Sequence, residues 1–248
     1  MSVPDQQVLE DEAQALAFLH QHARIVIKPA RGEQGNGVHV DLQQAAEVRA
    51  AFAGVADLGE TVLGEQYVSG QDLRIIVIDG EMVAAAIRKP AMVLGDGEHS
   101  VRALIESQSR RRAAATQGES RIPLDAETRR CLDEAGFGLD DIPYKGEQIT
   151  VRKTANLHTG GTIHDVTRQL HPDLAAAAVA GAQALDMPLV GFDFIVADVD
   201  QPDYVIIEAN ERPGLANHEP QPTAERFIDM LFPQTTSRTR SHHASPGY

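Results

Sequence analysis

The chain has 248 residues, a formal net charge of −14 (22 Lys and Arg against 36 Asp and Glu) and one cysteine, Cys131. That length accommodates one large domain or two small ones around a real core, and the acidity excludes general binding to nucleic acid or to an anionic membrane. The lone cysteine excludes a disulfide scaffold and a Cys-rich zinc site, which points to a reducing, cytoplasmic setting.

No apolar run reaches the ~20 residues of a membrane helix, and the polar start MSVPDQQVLEDEAQ is no signal peptide. Apolar spacing at Val8, Ala13, Leu16, Ala17 and Leu19 predicts a helix over 6–22. Ile25 to Ile27 is a short β-branched strand that ends in Lys28-Pro29. Residues 42–54 read as a helix. Apolar runs at 61–68, 73–78 and 82–87 read as strands, split by Ser69-Gly70 and by Asp79-Gly80, a hairpin signal. From about 95 to 147 the chain turns helical, with helices expected at Val101–Arg112 and Asp125–Ala135. Strand character returns at 148–154 and a Thr- and Gly-rich loop follows at 158–162. An Ala-rich helix over 173–186 precedes strands at 190–196 and 204–207, and a last helix covers 222–231. The polar end beyond Gln234 reads as a disordered tail. The fold class is α/β (α+β).

Four segments carry candidate chemistry. In the first, Lys28 closes a strand and Gly32, Gly35 and Gly37 follow in a short loop. Glycines let backbone N–H groups converge on an anion and the ammonium adds charge. Two readings stand here, a phosphate cradle or an ordinary glycine turn; without a GK[ST] ending it is not a Walker loop. The second, Glu65-Gln66-Tyr67-Val68 followed by Asp72, joins two strands. It reads as a solvated turn, or as a backbone edge for adenine with acids for ribose hydroxyls. The third pairs Asp193 with Glu208 and Asn210. Asp193 and Phe194 face opposite sides of a strand, while Glu208 and Asn210 share a face. If the two strands are antiparallel neighbours, three oxygen ligands meet, a set that suits Mg²⁺ and not zinc. The plain alternative is hydrogen-bonded strand-end acids. In the fourth, Arg152 and Lys153 lead into Asn156, Gly160 and Gly161. They form either a site that stabilises a transferring phosphoryl group or a strand with solvated cations. The run Arg110-Arg111-Arg112 reads as a solvated helix face in preference to a dock for substrate carboxylates, and the ten histidines form no metal pattern.

In this order the four segments resemble the ATP-grasp superfamily of carboxylate–amine ligases. The stretches RKPAMVLGDGEHSVRALIE (88–106), TANLHTGGTIHDVT (154–167) and EANERPGLANHEP (208–220) are similar to the branch of cyanophycin synthetases and bifunctional glutathione synthetases. RRRAAATQGESRIPLDAE (110–127) is similar to the N-acetylglutaminylglutamine synthetases, which make a dipeptide compatible solute. The resemblance spans roughly residues 22–235.

It implies a nucleotide held between two lobes, the first partial over 1–68, the second over 69–235 with a helical insertion at about 95–147, then a tail at 236–248. It implies that Lys28 binds ATP phosphate, with Gly32, Gly35 and Gly37 above it. Glu65, Gln66, Tyr67 and Val68 would hold adenine, and Asp72 the ribose. Asp193, Glu208 and Asn210 would ligate two Mg²⁺ ions, replaceable by Mn²⁺, with Glu208 bridging. Arg88 and Arg152 would face the transferred phosphate or a substrate carboxylate, and Asn156, Gly160 and Gly161 the acyl phosphate. Substrates would be amino acids or dipeptides, and a homo-oligomer stays open. Superfamily members place a further domain and a nucleotide lysine ahead of the strand that holds Lys28. Only about 23 residues stand there here, so the chain resembles the C-terminal part of a longer enzyme, either an active ligase or a fragment that binds ATP without turnover.

Overall fold

The computed structural model describes residues 1–31, 37–218 and 220–234. In chain order its elements are β1 (Gln6–Leu9), α1 (Glu12–His22), β2 (Ile25–Pro29), β3 (His39–Leu42), α2 (Ala45–Ala56), β4 (Val62–Gln66), β5 (Gln71–Ile78), β6 (Glu81–Lys89) and β7 (Met92–Leu94). They continue with α3 (Val101–Ala115), α4 (Ala126–Glu134), β8 (Gln148–Thr150), β9 (Thr162–Asp165), α5 (Pro172–Ala184), β10 (Leu189–Val196), β11 (Tyr204–Asn210) and α6 (Thr223–Leu231). Gly32, Gly35 and the expected tail at 236–248 lie outside the described residues. No helix among the described residues is long and apolar enough to cross a membrane.

The mixed helix and strand class is the expected one. Several elements correct the sequence reading: β7 and β9 are additional strands, the strand expected over 148–154 ends at Thr150, and two expected helices start later. The helix expected over 6–22 is a strand followed by a helix. Gln6–Leu9 pairs antiparallel with β4, and Asp11 caps the helix by accepting the Gln14 N–H at 2.8 Å. The helix expected from residue 42 starts later, because His39–Leu42 is a strand on β2. There Glu47 reaches back to the N–H groups of Gln43 and Gln44, each at 3.0 Å, and sets the start of α2.

The chain divides into two compact units. One joins Pro4–Val68 to Arg88–Thr162; the other joins Met1–Val3, Ser69–Ile87 and the chain from Ile163 onward. The helical stretch at about 95–147 therefore groups with Pro4–Val68.

In the first unit the sheet runs β1-β4-β2-β3 with antiparallel neighbours. Ile25, Ile27 and Val62 point to one face and pack with Phe18 of α1 and Val48 and Val55 of α2. Gly64 is required there, because a Cβ would meet Leu9 Cδ1 at 2.9 Å and Phe18 Cδ1 at 3.2 Å. Val26, Lys28 and Glu65 take the opposite face by strand alternation. The two-stranded ribbon β7–β8 shares a second core with α3 and α4, built on Val93, Ile105, Leu132 and Ile149. Charged pairs bind that part to β3: Lys153 to Asp41, and Arg130 to the Val40 carbonyl at 2.8 Å.

In the second unit the sheet order is β11-β10-β5-β6-β9. Leu73, Ile75 and Val77 of β5 and Val190, Phe192, Phe194 and Val196 of β10 face one core, with α5 against it. On the other face, α6 and the turn Leu215–His218 pack on Ile76 and Ile78.

Candidate active site

The β5 face that carries Ile76 and Ile78 carries Arg74 and Asp72 farther along the strand, because alternate residues share a face. Strand β10 is antiparallel to both β5 and β11. In register, Asp193 stands opposite Arg74 on one side and opposite Glu208 on the other, while Gly191 stands opposite Asn210. Asp193, Glu208 and Asn210 therefore share a face, and Phe194 turns into the core. A register shift follows Asp193, so the pairing resumes at Phe194 and Ile206.

Asp193 is buried and Glu208 is exposed. Arg74 forks onto Asp193: Nη2 donates to Oδ2 at 3.0 Å and Nε donates to Oδ1. Arg74 was missed by sequence reasoning. Its signal is a cation two residues after Asp72 inside an apolar strand.

Two carboxylates and one amide make an oxygen-only donor set, the kind Mg²⁺ takes alongside water and phosphate. Among the described residues no three His, Cys, Asp or Glu side chains converge as a metal cluster, so the protein's share of such a site is sparse. The Nδ2 of Asn210 is buried with no hydrogen-bond partner among the described residues. Turned end for end, the amide would place its oxygen at that position, where a cation would satisfy it. The residues fit Mg²⁺.

In the first unit, Lys28 Nζ donates to Glu65 Oε2 at 2.7 Å, and Gln6 Nε2 donates to the same oxygen at 2.6 Å. Glu65 is 3% exposed, so the ammonium and carboxylate form a largely desolvated pair on the sheet face away from α1 and α2. The segment after Glu65 is fixed by backbone. Gln66 N–H donates to Asp5 at 2.8 Å and Tyr67 N–H donates to Arg24 at 3.1 Å, while the Arg24 guanidinium lies 4.2 Å from the Tyr67 ring centroid. Val68 ends the first of the unit's two segments. Gly37 sits at φ +70°, where a Cβ would lie 3.1 Å from Leu58.

The loop after β8 is tied by Asn156. Its Oδ1 accepts from His158 N–H at 2.8 Å, and its carbonyl accepts from Gly161 N–H at 2.8 Å. Gly160 and Gly161 are sterically required: added Cβ atoms would meet Ile122 Cγ1 at 2.4 Å and the Lys89 carbonyl at 2.9 Å. The two leading cations part company. Arg152 is buried and Nη1 binds both Asp125 oxygens, at 2.8 and 2.9 Å, and Thr128 Oγ1 at 3.1 Å. Its Nε is buried with no partner among the described residues. Lys153 turns to Asp41 and Glu134. Arg88 is half-buried at the end of β6. Arg110 and Arg111 are exposed, and Arg112 donates to the Gly161 carbonyl at 3.0 Å.

The signature of the prokaryotic glutathione synthetase ATP-grasp domain matches residues 1–99. Cyanophycin synthetase of Nostoc sp. is 34% identical over 242 residues, covering 92% of this chain and 27% of that protein. The glutathione biosynthesis bifunctional protein of Pasteurella multocida is 29% identical over 243 residues, covering 90% of this chain and 32% of that protein. The crystal structure of a bifunctional glutathione synthetase from Pasteurella multocida superposes with a TM-score of 0.57 at 27% identity, over 94% of this chain and 34% of that one. D-alanine–D-alanine ligase from Bacillus anthracis shares the fold, with a TM-score of 0.56 at 16% identity over 98% of this chain and 64% of that one. The chain thus spans about a quarter to a third of the length of the cyanophycin and glutathione proteins it matches. Residues 1–99 thus match an ATP-grasp domain, and about nine-tenths of the chain is similar to cyanophycin synthetases and bifunctional glutathione synthetases.

Proposed function

We propose that this chain serves ATP-dependent amide bond formation between a carboxylate and an amine, with N-acetylglutaminylglutamine as the product. The observation that carries the reading is the register of Asp193 against Glu208, with Asn210 on the same face and its amide nitrogen without a partner among the described residues. The product assignment rests on the likeness of residues 110–127 to N-acetylglutaminylglutamine synthetases.

In this reading Lys28, together with Gly32, Gly35 and Gly37, binds the phosphates. Glu65 to Val68 hold adenine through backbone groups, and Asp72 takes the ribose. Asp193, Glu208 and Asn210 would hold the divalent ions, Mg²⁺ or Mn²⁺, beside the phosphates. Bound Mg²⁺ supplies neutralisation of charge on the phosphate oxygens. A substrate carboxylate oxygen attacks the γ-phosphorus, and ADP leaves. The amine then attacks the acyl carbon, phosphate leaves, and the amine's proton passes to solvent. Arg88, Arg152, whose buried Nε has no partner among the described residues, and the loop from Asn156 to Gly161 steady the acyl phosphate. No protein nucleophile is required.

The test is ADP release with Mg-ATP, N-acetylglutamine and glutamine, coupled to mass detection of the dipeptide. Dipeptide formation is expected. ADP release only with other amino acids would overturn the product. A Tm raised by Mg-ATP without any ADP release would overturn catalysis by this chain and leave a nucleotide-binding domain.

A further inference from the structure

We infer that Arg74 couples divalent-cation binding to nucleotide binding, so that the site rejects a free cation and accepts one that arrives with a polyphosphate. This inference rests on the metal reading of Asp193, Glu208 and Asn210 proposed above. Three observations carry it. First, the register sets Arg74, Asp193 and Glu208 side by side on three adjacent strands, β5, β10 and β11. Neighbouring strands are about 4.8 Å apart, so the guanidinium and any cation on Asp193 are close neighbours. Second, the fork engages both Asp193 oxygens, a paired charge-assisted contact. Third, the contact is built in rather than a chance surface pair. The Arg74 and Asp193 side chains are only 15% and 10% exposed, and Gly191 leaves room for the Arg74 stem, since a Cβ there would lie 3.3 Å from Arg74 Cδ.

Like charges repel strongly at this separation where water is scarce. A divalent ion alone must therefore compete with the guanidinium for Asp193 and sit beside its positive charge. A polyphosphate reverses the sign: its oxygens are acceptors for the same N–H groups, and its charge outweighs the guanidinium. Arg74 is then a positioning residue. It keeps Asp193 and Glu208 from repelling across the strands when no ion is bound, and it turns toward phosphate when the ion and nucleotide arrive together.

The experiment is Mn²⁺ binding read by electron paramagnetic resonance, with and without ADP, on the full chain and on Arg74→Gln, Arg74→Lys and Asp193→Asn, each checked for folding by its Tm. Wild type is expected to bind Mn²⁺ at least about tenfold tighter when ADP is present. Arg74→Gln should bind free Mn²⁺ about tenfold tighter than wild type and lose most of the ADP dependence. Arg74→Lys keeps the charge without the fork and should fall between them. If Asp193→Asn abolishes Mn²⁺ binding while Arg74→Gln and Arg74→Lys bind free Mn²⁺ no tighter than wild type, the coupling role is overturned and the metal reading stands. If wild type holds no Mn²⁺ under either condition, or Asp193→Asn binds as wild type does, the metal reading fails and the inference with it.

Discussion

Lys153 Nζ donates to Asp41 Oδ2 at 2.7 Å, although 112 residues of chain separate them. The same ammonium lies 2.6 Å from Glu134 Oε2, and Arg24 Nε donates to Asp41 Oδ1 at 2.6 Å. Arg130 adds a second tie, with Glu127, Glu47 and the Val40 carbonyl as its partners. This network joins α4 and the chain after β8 to β3. Asp41 holds φ at +62°, where Asp and Asn are the best-tolerated residues after glycine.

Asp41→Asn keeps that backbone conformation and removes the charge shared by Lys153 and Arg24. It should lower stability by about 1–3 kcal/mol in urea titrations at neutral pH. Burial pushes the Asp41 carboxyl up, but hydrogen bonds from Arg24 and Lys153 outweigh it and the net direction is down. A folded-state value below the unfolded one means that the stabilisation is complete above the unfolded value and is lost as pH falls through the folded one. The gap between wild type and Asp41→Asn should therefore close below about pH 4. A gap that widens on acidification would refute the ion-pair account.

Gly181→Ala tests the packing beneath β10. In an exposed helix this change gains about 0.5–1 kcal/mol from helix propensity. Here the new Cβ would lie 2.8 Å from Phe192 Cζ, a ring fully packed in the core of the second unit. Overpacking of about 1–3 kcal/mol should reverse the sign. Thermal unfolding decides it: a raised Tm would show that α5 yields freely against β10.

The strands β10 and β11 were legible because β-branched and aromatic residues alternate around Asp193 and the turn Asp198–Asp203 separates two such runs. Their antiparallel pairing, a condition of the site geometry, is what the register provides. The strands β1, β3 and β7 were not legible. They are three or four residues long, too short for a period, and their state is set by the strands beside them. The same limit hid the fates of Arg152 and Lys153. Adjacent in sequence, they read as one cationic pair, yet one is drawn to Asp125 and the other to Asp41. Local pattern carries no information on those partners.

Glu208→Gln tests the metal assignment at an exposed strand position where shape is kept and one charge is lost. Wild type should gain about 2.7 kcal/mol of stability when Mg-ATP stands a hundredfold above its Kd. In the variant, most of the Mg²⁺-dependent part of that gain should vanish, while the unliganded protein stays within about 0.5 kcal/mol of wild type. Differential scanning fluorimetry with ATP, in Mg²⁺ and in EDTA, separates the two. An unchanged Mg²⁺-dependent shift would remove Glu208 from the site.

Cys131 reports on the charged network from inside α4. It is buried, and its Sγ lies 3.7 Å from Glu127 Oε1. Burial pushes the thiol up to about 11, and the Glu127 charge adds to the shift. The thiolate is the reactive form, so at pH 7.5 the native thiol is both protonated and hidden. Labelling by an aromatic disulfide reagent should proceed only through opening of α4. It should run at least about a thousandfold slower than in urea, as a local opening free energy of about 4 kcal/mol requires. Because Arg130 and Glu134 flank Cys131 on α4 and close onto β3 with Lys153, that opening must break the network. Asp41→Asn should then speed labelling by about 5- to 150-fold, the rate counterpart of the 1–3 kcal/mol expected from urea. Labelling of the native protein at the unfolded rate would contradict the buried, protonated thiol. An Asp41→Asn variant less stable in urea but labelled no faster would show that α4 opens without disturbing β3.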